Sequence, residues 1–143
     1  MSESITILLV EDNQADVELT TESLENSKLH LKIHTVTDGA EALEFLLARG
    51  RHTNAPRPDL VLLDLNLPRL DGRDVLAAIK QDDNLRRIPV VILTSSDFEI
   101  DVIKSYDLGA NCYIKKPVGL PEFETIVTAI ENFWFTVVKL PER

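Results

Sequence analysis

Three segments of the chain are almost continuously apolar. They begin at Ile5 ("ITILLV"), Leu60 ("LVLLDL") and Pro89 ("PVVILT"). Unbroken runs of this kind predict parallel strands that are covered on both faces. The segment "LKIHTV" from Leu31 tends to alternate between apolar and polar residues, and "CYIK" from Cys112 is short. Both fit the edges of a sheet better than its centre.

Apolar residues at helical spacing occupy the intervals between these strands and follow the last one. Asn13 is a plausible N-cap for the first helix, with Asp16 three residues later, and Gly109 is a plausible C-cap for the fourth. The spacing predicts five helices, around residues 17–24, 42–46, 75–79, 100–108 and 123–137. Alternating strands and helices predict an α/β fold with an open, doubly wound parallel sheet. Residues 49–59 read as a solvated loop.

Composition limits the possible classes of protein. The 143 residues suit one domain, with a core over about residues 4–132 and no linker to a second domain. A net charge of −9 argues against nucleic acid or an anionic membrane as partner. The single cysteine, Cys112, cannot form an internal disulfide, and no apolar run approaches membrane-spanning length, so we expect a cytoplasmic protein. His30, His34 and His52 have no metal-ligand neighbours in the sequence and are expected at the surface.

Polar residues follow the central strands at the points where those strands end. In open parallel sheets, ligands bind beyond the carboxyl ends of the strands. The residues at these ends are Glu11 and Asp12, Asp64, Thr94 and Ser95, and Lys115 and Lys116. Each has an ordinary explanation when taken alone, such as charging a first helical turn or occupying a turn. Their arrival at one edge of one sheet favours a common site.

The residue types at this edge indicate phosphoryl chemistry. Three neighbouring carboxylates raise each other's pKa unless a cation joins them, and oxygen ligands of this kind suit Mg²⁺. A lysine and a hydroxyl opposite a metal can stabilise the oxygens of a phosphoryl group. Asp64 could therefore be a metal ligand, a nucleophile or both.

These residues, in this order, resemble the receiver domain of response regulators in two-component signalling. The resemblance implies a flavodoxin-like fold with strand order 2-1-3-4-5. The motifs that carry it are "LLVEDN", "LLDLNLPRLDG", "ILTSS" and "GANCYIKKP". The resemblance covers nearly the whole chain.

The resemblance also assigns roles to individual residues. Glu11 and Asp12 look like the family's acidic pair, and Asp64 looks like its phosphorylated aspartate. Asn66 would offer its backbone carbonyl to Mg²⁺, and Lys116, rather than Lys115, would bind the phosphoryl group. Two further assignments are a switch pair, Thr94 and Tyr113, and a cis peptide bond between Lys116 and Pro117.

The implied function is that of a single-domain response regulator. A sensor histidine kinase would donate a phosphoryl group to Asp64, and the face formed by helix 4, strand 5 and helix 5 would then shift. Such a protein turns over no external substrate. A scaffold that acts without phosphorylation remains an alternative. An aspartate-based phosphatase is a weaker one, because such enzymes need an acid where this chain has Asn66, and a flavin-binding protein would not place the anionic "VEDNQAD" after its first strand.

The C-terminal segment, residues 133–143, suggests a subgroup and an assembly. Phe133 and Trp134 continue the apolar stripe of the last helix, whereas Phe135 falls outside it. An exposed aromatic there favours an interface, so these residues are candidates for a homodimer arm. The segment is similar to that of stand-alone receivers that serve phytochrome-type histidine kinases.

Overall fold

The computed structural model describes residues 4–25, 30–95, 100, 109–110, 112–116, 121, 124–125 and 128. The strands are β1 (Ile5–Val10), β2 (Leu31–Val36), β3 (Leu60–Asp64), β4 (Val90–Thr94) and β5 (Cys112–Lys115). The helices with defined bounds are α1 (Gln14–Glu25), α2 (Gly39–Leu47) and α3 (Gly72–Gln81), and a 3-10 turn covers Gly50–His52. Ile100 and residues 121, 124, 125 and 128 are also helical, but the bounds of the fourth and fifth predicted helices lie outside the described residues.

The five strands form one parallel sheet in the order β2-β1-β3-β4-β5. This confirms the predicted fold class, and it also confirms the order that the family resemblance implied. The alternating strand β2 and the short strand β5 lie at the two edges, as predicted. The three central strands carry the unbroken apolar runs.

Both faces of the sheet are covered, which explains why the central strands do not alternate. Val61 and Leu63 of β3 point into the core on the side of α2 and α3, whereas Leu60 and Leu62 point into the core on the side of α1. Every residue of β3 and β4 is buried, including Asp64 and Thr94. Burying apolar surface stabilises a fold by about 25 cal/mol per Å², and β3 and β4 bury both of their faces. Their carboxyl ends are therefore held rigidly in place.

The helix starts are capped by short polar side chains. The Asn13 carbonyl oxygen Oδ1 accepts a hydrogen bond from the Asp16 N–H (3.0 Å), which confirms the predicted cap of α1. Asp38 and Asp71 cap α2 and α3 in the same way, through the N–H groups of Glu41 and Arg73. In the part of the chain that is described, no helix is long and apolar enough to cross a membrane.

Most of residues 49–59 are exposed, as predicted for a solvated loop, although a 3-10 turn forms within the segment; the prediction that all three histidines lie at the surface is wrong. The 3-10 turn brings His52 against the ring of Phe45, with the ring centroids 5.2 Å apart. His34 contacts Phe45 from β2 at 5.4 Å. Both histidines are half-buried, and His30 is exposed as predicted.

Candidate functional site

The carboxyl ends of the strands bring the predicted residues together. Asp64 and Thr94 are the last residues of β3 and β4, and Glu11 and Lys116 come directly after β1 and β5. The Lys116 N–H donates to the carbonyl of Thr94 (2.7 Å), and the Glu11 N–H donates to the carbonyl of Val36 (3.0 Å). These backbone bonds extend the sheet by one residue at each point and fix where the side chains begin.

The Lys116 ammonium lies among three carboxylates. Its Nζ donates to Glu11 Oε1 (3.0 Å), Asp16 Oδ2 (3.0 Å) and Asp64 Oδ2 (3.2 Å). The side chains of Glu11 and Asp64 are 1% and 4% exposed, and that of Lys116 is 10% exposed. At such burial the charges are poorly screened by water, so these contacts are strong.

Asp16 is the member of this cluster that sequence reasoning missed. Its position three residues after Asn13 was accounted for by the start of the helix. In the structure its N–H serves that purpose, while its carboxylate turns to Lys116. The available signal was an acid in the first turn of the helix that follows Glu11 and Asp12, but spacing alone does not give the direction of its side chain.

The electrostatics of the cluster are unbalanced. Burial raises the pKa of Glu11 to about 7, helped by the neighbouring Asp64 and opposed by Lys116. Burial alone would lower the pKa of Lys116, but hydrogen bonds to Glu11 and Asp16 and the charge of Asp64 outweigh it, so the pKa lies above its ordinary value. The ammonium is therefore fully charged at neutral pH, and the carboxylates carry more negative charge than it can neutralise.

Local structure fixes the position of Asp64. Its Oδ1 accepts a hydrogen bond from the Asn66 N–H (3.2 Å), so both carboxylate oxygens have donors. The loop after β3 then folds back, and the Gly72 N–H donates to the carbonyl of Leu65 (2.9 Å). A Cβ on Gly72 would collide with the backbone of Asp64 and Leu65, so the close approach requires glycine.

Three carboxylates at this edge meet the requirements of a divalent cation. One oxygen each from Glu11, Asp12 and Asp64 can be chosen so that all three lie within 4.8 Å of one another. Asp12 is exposed and the other two are buried, which leaves the group open to solvent on one side. Hard oxygen ligands with an open side suit Mg²⁺ or Mn²⁺. Burial is the main cause of the raised pKa of Glu11 and the neighbouring Asp64 adds to it, so a cation bound beside these carboxylates would favour their charged forms.

The remaining predicted residues are placed as follows. Thr94 is fully buried at the end of β4, and Tyr113 of β5 is half-buried against the core on the α2 and α3 side. Asn66 is exposed two residues after Asp64. The predicted cis bond at Pro117 and the predicted interface residues Phe133, Trp134 and Phe135 lie outside the described residues.

Comparison with known proteins decides the family. The family model for the response regulator receiver domain matches residues 7–129. The chain belongs to the receiver domain family. This confirms the resemblance on which the residue roles were assigned, and the fold and the order of the sheet agree with it.

Close relatives narrow the subgroup. Response regulator Rcp1 of Synechocystis sp. is 50% identical to this receiver over 135 residues, which cover 94% of this chain and 92% of Rcp1. The crystal structure of the phosphorylated cyanobacterial phytochrome response regulator RcpA is similar with a TM-score of 0.79 and 51% identity, covering 98% of this chain and all of RcpA. The structure of Rcp1 with bound Mn²⁺ has a TM-score of 0.77 and 49% identity, covering 96% and 99% of the two chains. This receiver is thus related to phytochrome response regulators.

Proposed function

We propose that this receiver accepts a phosphoryl group on Asp64 from a sensor histidine kinase, in the presence of Mg²⁺. The observation that carries the proposal is the contact of the Lys116 ammonium with Asp64 Oδ2 at 3.2 Å, beside the carboxylates of Glu11 and Asp12. A buried carboxylate with an ammonium on one side and a cation site on the other can act as a nucleophile toward an anionic phosphoryl donor.

The chemical step is an in-line displacement at phosphorus. A carboxylate oxygen of Asp64 forms a bond to the phosphorus of a phosphohistidine, and the P–N bond breaks. The electron pair of that bond leaves with the imidazole of the donor, which takes up a proton. Lys116 donates to a phosphoryl oxygen and stabilises the charge that accumulates there. Hydrolysis later transfers the phosphoryl group to water and regenerates Asp64.

The bound Mg²⁺ would neutralise the oxygens of the phosphoryl group and of the carboxylates. Glu11, Asp12 and Asp64 would hold it, with the backbone carbonyl of Asn66 as the further ligand that the family resemblance implies. The convergence of one oxygen each from Glu11, Asp12 and Asp64 supports the assignment. Lys116 stays outside this ligand set and keeps its role toward the phosphoryl group.

The new aspartyl phosphate would act on the neighbouring strand ends. Thr94 is the last residue of β4, next to Leu93, which pairs with Asp64, and the Thr94 carbonyl accepts a hydrogen bond from the Lys116 N–H, so a phosphoryl group on Asp64 would lie close to Thr94 and Lys116. Movement of Thr94 toward the phosphate would leave room for Tyr113 to turn inward, which shifts the population of the face that contains β5. The receiver would modify only itself and turn over no external substrate.

The partner is proposed to be a phytochrome-type histidine kinase. The relation to a phytochrome response regulator supports this, as does the tail segment 133–143. The proposal includes a cytoplasmic location. The homodimer through Phe133, Trp134 and Phe135 stays a prediction.

The first test is the intact mass of the protein after incubation with acetyl phosphate, with and without Mg²⁺. We expect a Mg²⁺-dependent gain of one phosphoryl group that base removes and that maps to Asp64. Asp64→Asn should abolish the gain, because the amide is not a nucleophile of comparable strength. Replacing acetyl phosphate by phosphorylated histidine kinases then tests the partner, with faster transfer expected from a phytochrome-type kinase.

Asp71→Asn is the matched control for Asp64→Asn. It is the same substitution at the far end of the loop that joins β3 to α3, but Asp71 caps α3 and bonds to Arg73, and asparagine caps a helix equally well. This variant should take up phosphate like the wild type. If the folded wild type gained no phosphoryl group with Mg²⁺, the scaffold function would replace the proposal.

A further inference from the structure

The Lys116 ammonium has no spare hydrogen-bond donor. An ammonium has three N–H groups, and Nζ contacts one carboxylate oxygen each from Glu11, Asp16 and Asp64. To stabilise a phosphoryl group on Asp64, it must exchange at least one of these contacts for a phosphoryl oxygen. Which contact remains then decides where the ammonium is held during the reaction.

Two of the three partners have a second task. Glu11 and Asp64 belong to the carboxylate triplet that fits a divalent cation, together with Asp12. A metal there attracts their oxygens and repels the ammonium. Among the described residues, Asp16 is the carboxylate that contacts Lys116 without belonging to the triplet.

A purely structural role for the Asp16 carboxylate is not supported. An acid at this position of a helix commonly bonds back to the N–H of the capping residue. Here the N–H of the cap, Asn13, donates instead to Glu11 Oε2 (3.2 Å). Asp16 reaches across to Lys116 from α1, and its side chain is 28% exposed, so it remains at the open rim of the site.

We propose that Asp16 is a positioning residue that keeps the Lys116 ammonium beside Asp64 when a metal occupies the triplet. This rests on the proposed function of Asp64 as phosphoryl acceptor. Asp16 acts through Lys116 and has no contact of its own with the phosphoryl group. Its carboxylate limits the positions of a long, flexible side chain and offsets the charge repulsion between the ammonium and the metal.

The test compares Asp16→Asn with wild type at saturating Mg²⁺, using acetyl phosphate as the donor. We expect the rate constant of phosphorylation to fall about three- to tenfold, because the ammonium is less often in place. Asp16→Glu, which keeps a carboxylate on a longer arm, should recover most of the rate. Glu18→Gln is the matched control, because it removes the same charge from the same helix. Glu18 is exposed, and its carboxylate accepts a hydrogen bond from the Gln14 side chain.

A double-mutant cycle separates positioning from a general charge effect. In a Lys116→Ala background, adding Asp16→Asn should change the residual rate less than twofold, because the group through which Asp16 acts is gone. A loss of the same size in both backgrounds would overturn the proposal. An unchanged rate for Asp16→Asn in the wild-type background would overturn it as well.

A second measurement does not depend on phosphorylation. In the Mg²⁺-loaded, unphosphorylated protein, the ¹⁵N-detected ammonium signal of Lys116 should be protected from solvent exchange, and Asp16→Asn should remove that protection while Glu18→Gln does not. If wild type accepts no phosphate but shows this difference, the proposed function fails and the contact of Asp16 with Lys116 stands. If the protection is equal in Asp16→Asn and wild type, the positioning role fails whatever the phosphorylation result.

Discussion

Two charged clusters of this receiver are at least half-buried, except for the exposed Asp12, and they differ in how their acidic and basic groups are matched. The acidic pocket consists of Glu11, Asp12, Asp16, Asp64 and Lys116, and in it three carboxylates contact one ammonium. The α2 cluster consists of Glu41, Phe45 and His52. There one carboxylate meets one histidine at 2.9 Å and accepts the Thr37 N–H with its other oxygen.

The difference shows in the pKa values of the two glutamates. Burial raises the pKa of Glu11 to about 7. Burial also acts to raise the pKa of Glu41, but hydrogen bonds from His52 and the Thr37 N–H outweigh it, so the pKa of Glu41 lies below its ordinary value. A cluster whose acids are matched by donors stabilises the fold, whereas one with surplus acid has charge left for a ligand. We infer function from the imbalance rather than from the presence of charge.

Removing the cation of the acidic pocket should have the largest effect on stability. Lys116→Met leaves Glu11 and Asp64 buried without their shared partner, and we expect the free energy of unfolding to fall by about 3 kcal/mol in EDTA. Saturating Mg²⁺ should reduce that loss, because the metal binds only the folded state and replaces the missing charge. Urea denaturation with and without Mg²⁺ measures both values.

Arg51→Met is the control for this substitution. Arg51 pairs with Glu44 at 2.8 Å, but its side chain is 57% exposed, so water already solvates both charges. Its loss should be small and independent of Mg²⁺. An equal loss of stability for Lys116→Met in EDTA and in Mg²⁺ would contradict the view that metal and ammonium share the same carboxylates.

The sequence was sufficient to predict the fold and most of the pocket. Apolar runs without alternation require cover on both faces, which specifies a parallel sheet and therefore a common edge for Asp64, Thr94 and Lys116. That inference needs only the ends of strands. It does not depend on the angle at which any helix packs.

The parts that the sequence did not reveal depend on such angles and on distant partners. Asp16 lies 100 positions from Lys116, and only the rotation of α1 against the sheet directs its carboxylate there. The polar composition of residues 49–59 correctly predicts that most of them are exposed, but it does not reveal that the 3-10 turn brings His52 into contact with Glu41 and the ring of Phe45. The local sequence pattern predicts the conformation and burial that a segment prefers, but it does not predict which side chains the segment contacts in the fold.

Removing the charge of Glu11 tests the difference between the two clusters through the pH dependence of stability. The pKa of Glu11 is about 7 in the folded protein and 4.5 ordinarily, so the folded state binds the proton more tightly. The resulting stability is complete below pH 4.5 and is lost as the pH rises through 7. Without metal, Glu11→Gln should therefore be more stable than wild type at pH 8 by on the order of 1–2 kcal/mol, with a flatter dependence on pH.

Thermal or urea denaturation in EDTA between pH 5 and pH 8.5 measures this difference. Mg²⁺ should reverse the ranking, because it stabilises the wild type through the carboxylate that the variant lacks. Glu18→Gln, an exposed acid of α1, should follow the wild-type curve throughout. A Glu11→Gln variant that is less stable than wild type at pH 8 without metal would show that the pocket is balanced after all.

The smallest effect is expected where the charges are already matched. Because the pKa of Glu41 is lowered in the fold, its contribution is present above its ordinary pKa of 4.5 and is lost as the pH falls through the folded value. Glu41→Gln should cost about 0.5–1 kcal/mol at pH 7, through the weakened bond to His52, and the difference should shrink as the pH falls below 4.5. Urea denaturation should give the same loss in EDTA and in Mg²⁺, since no oxygen of Glu41 belongs to the metal triplet. A loss of stability that depended on Mg²⁺ would mean that the α2 cluster is energetically coupled to the acidic pocket. The two clusters would then form one interacting network.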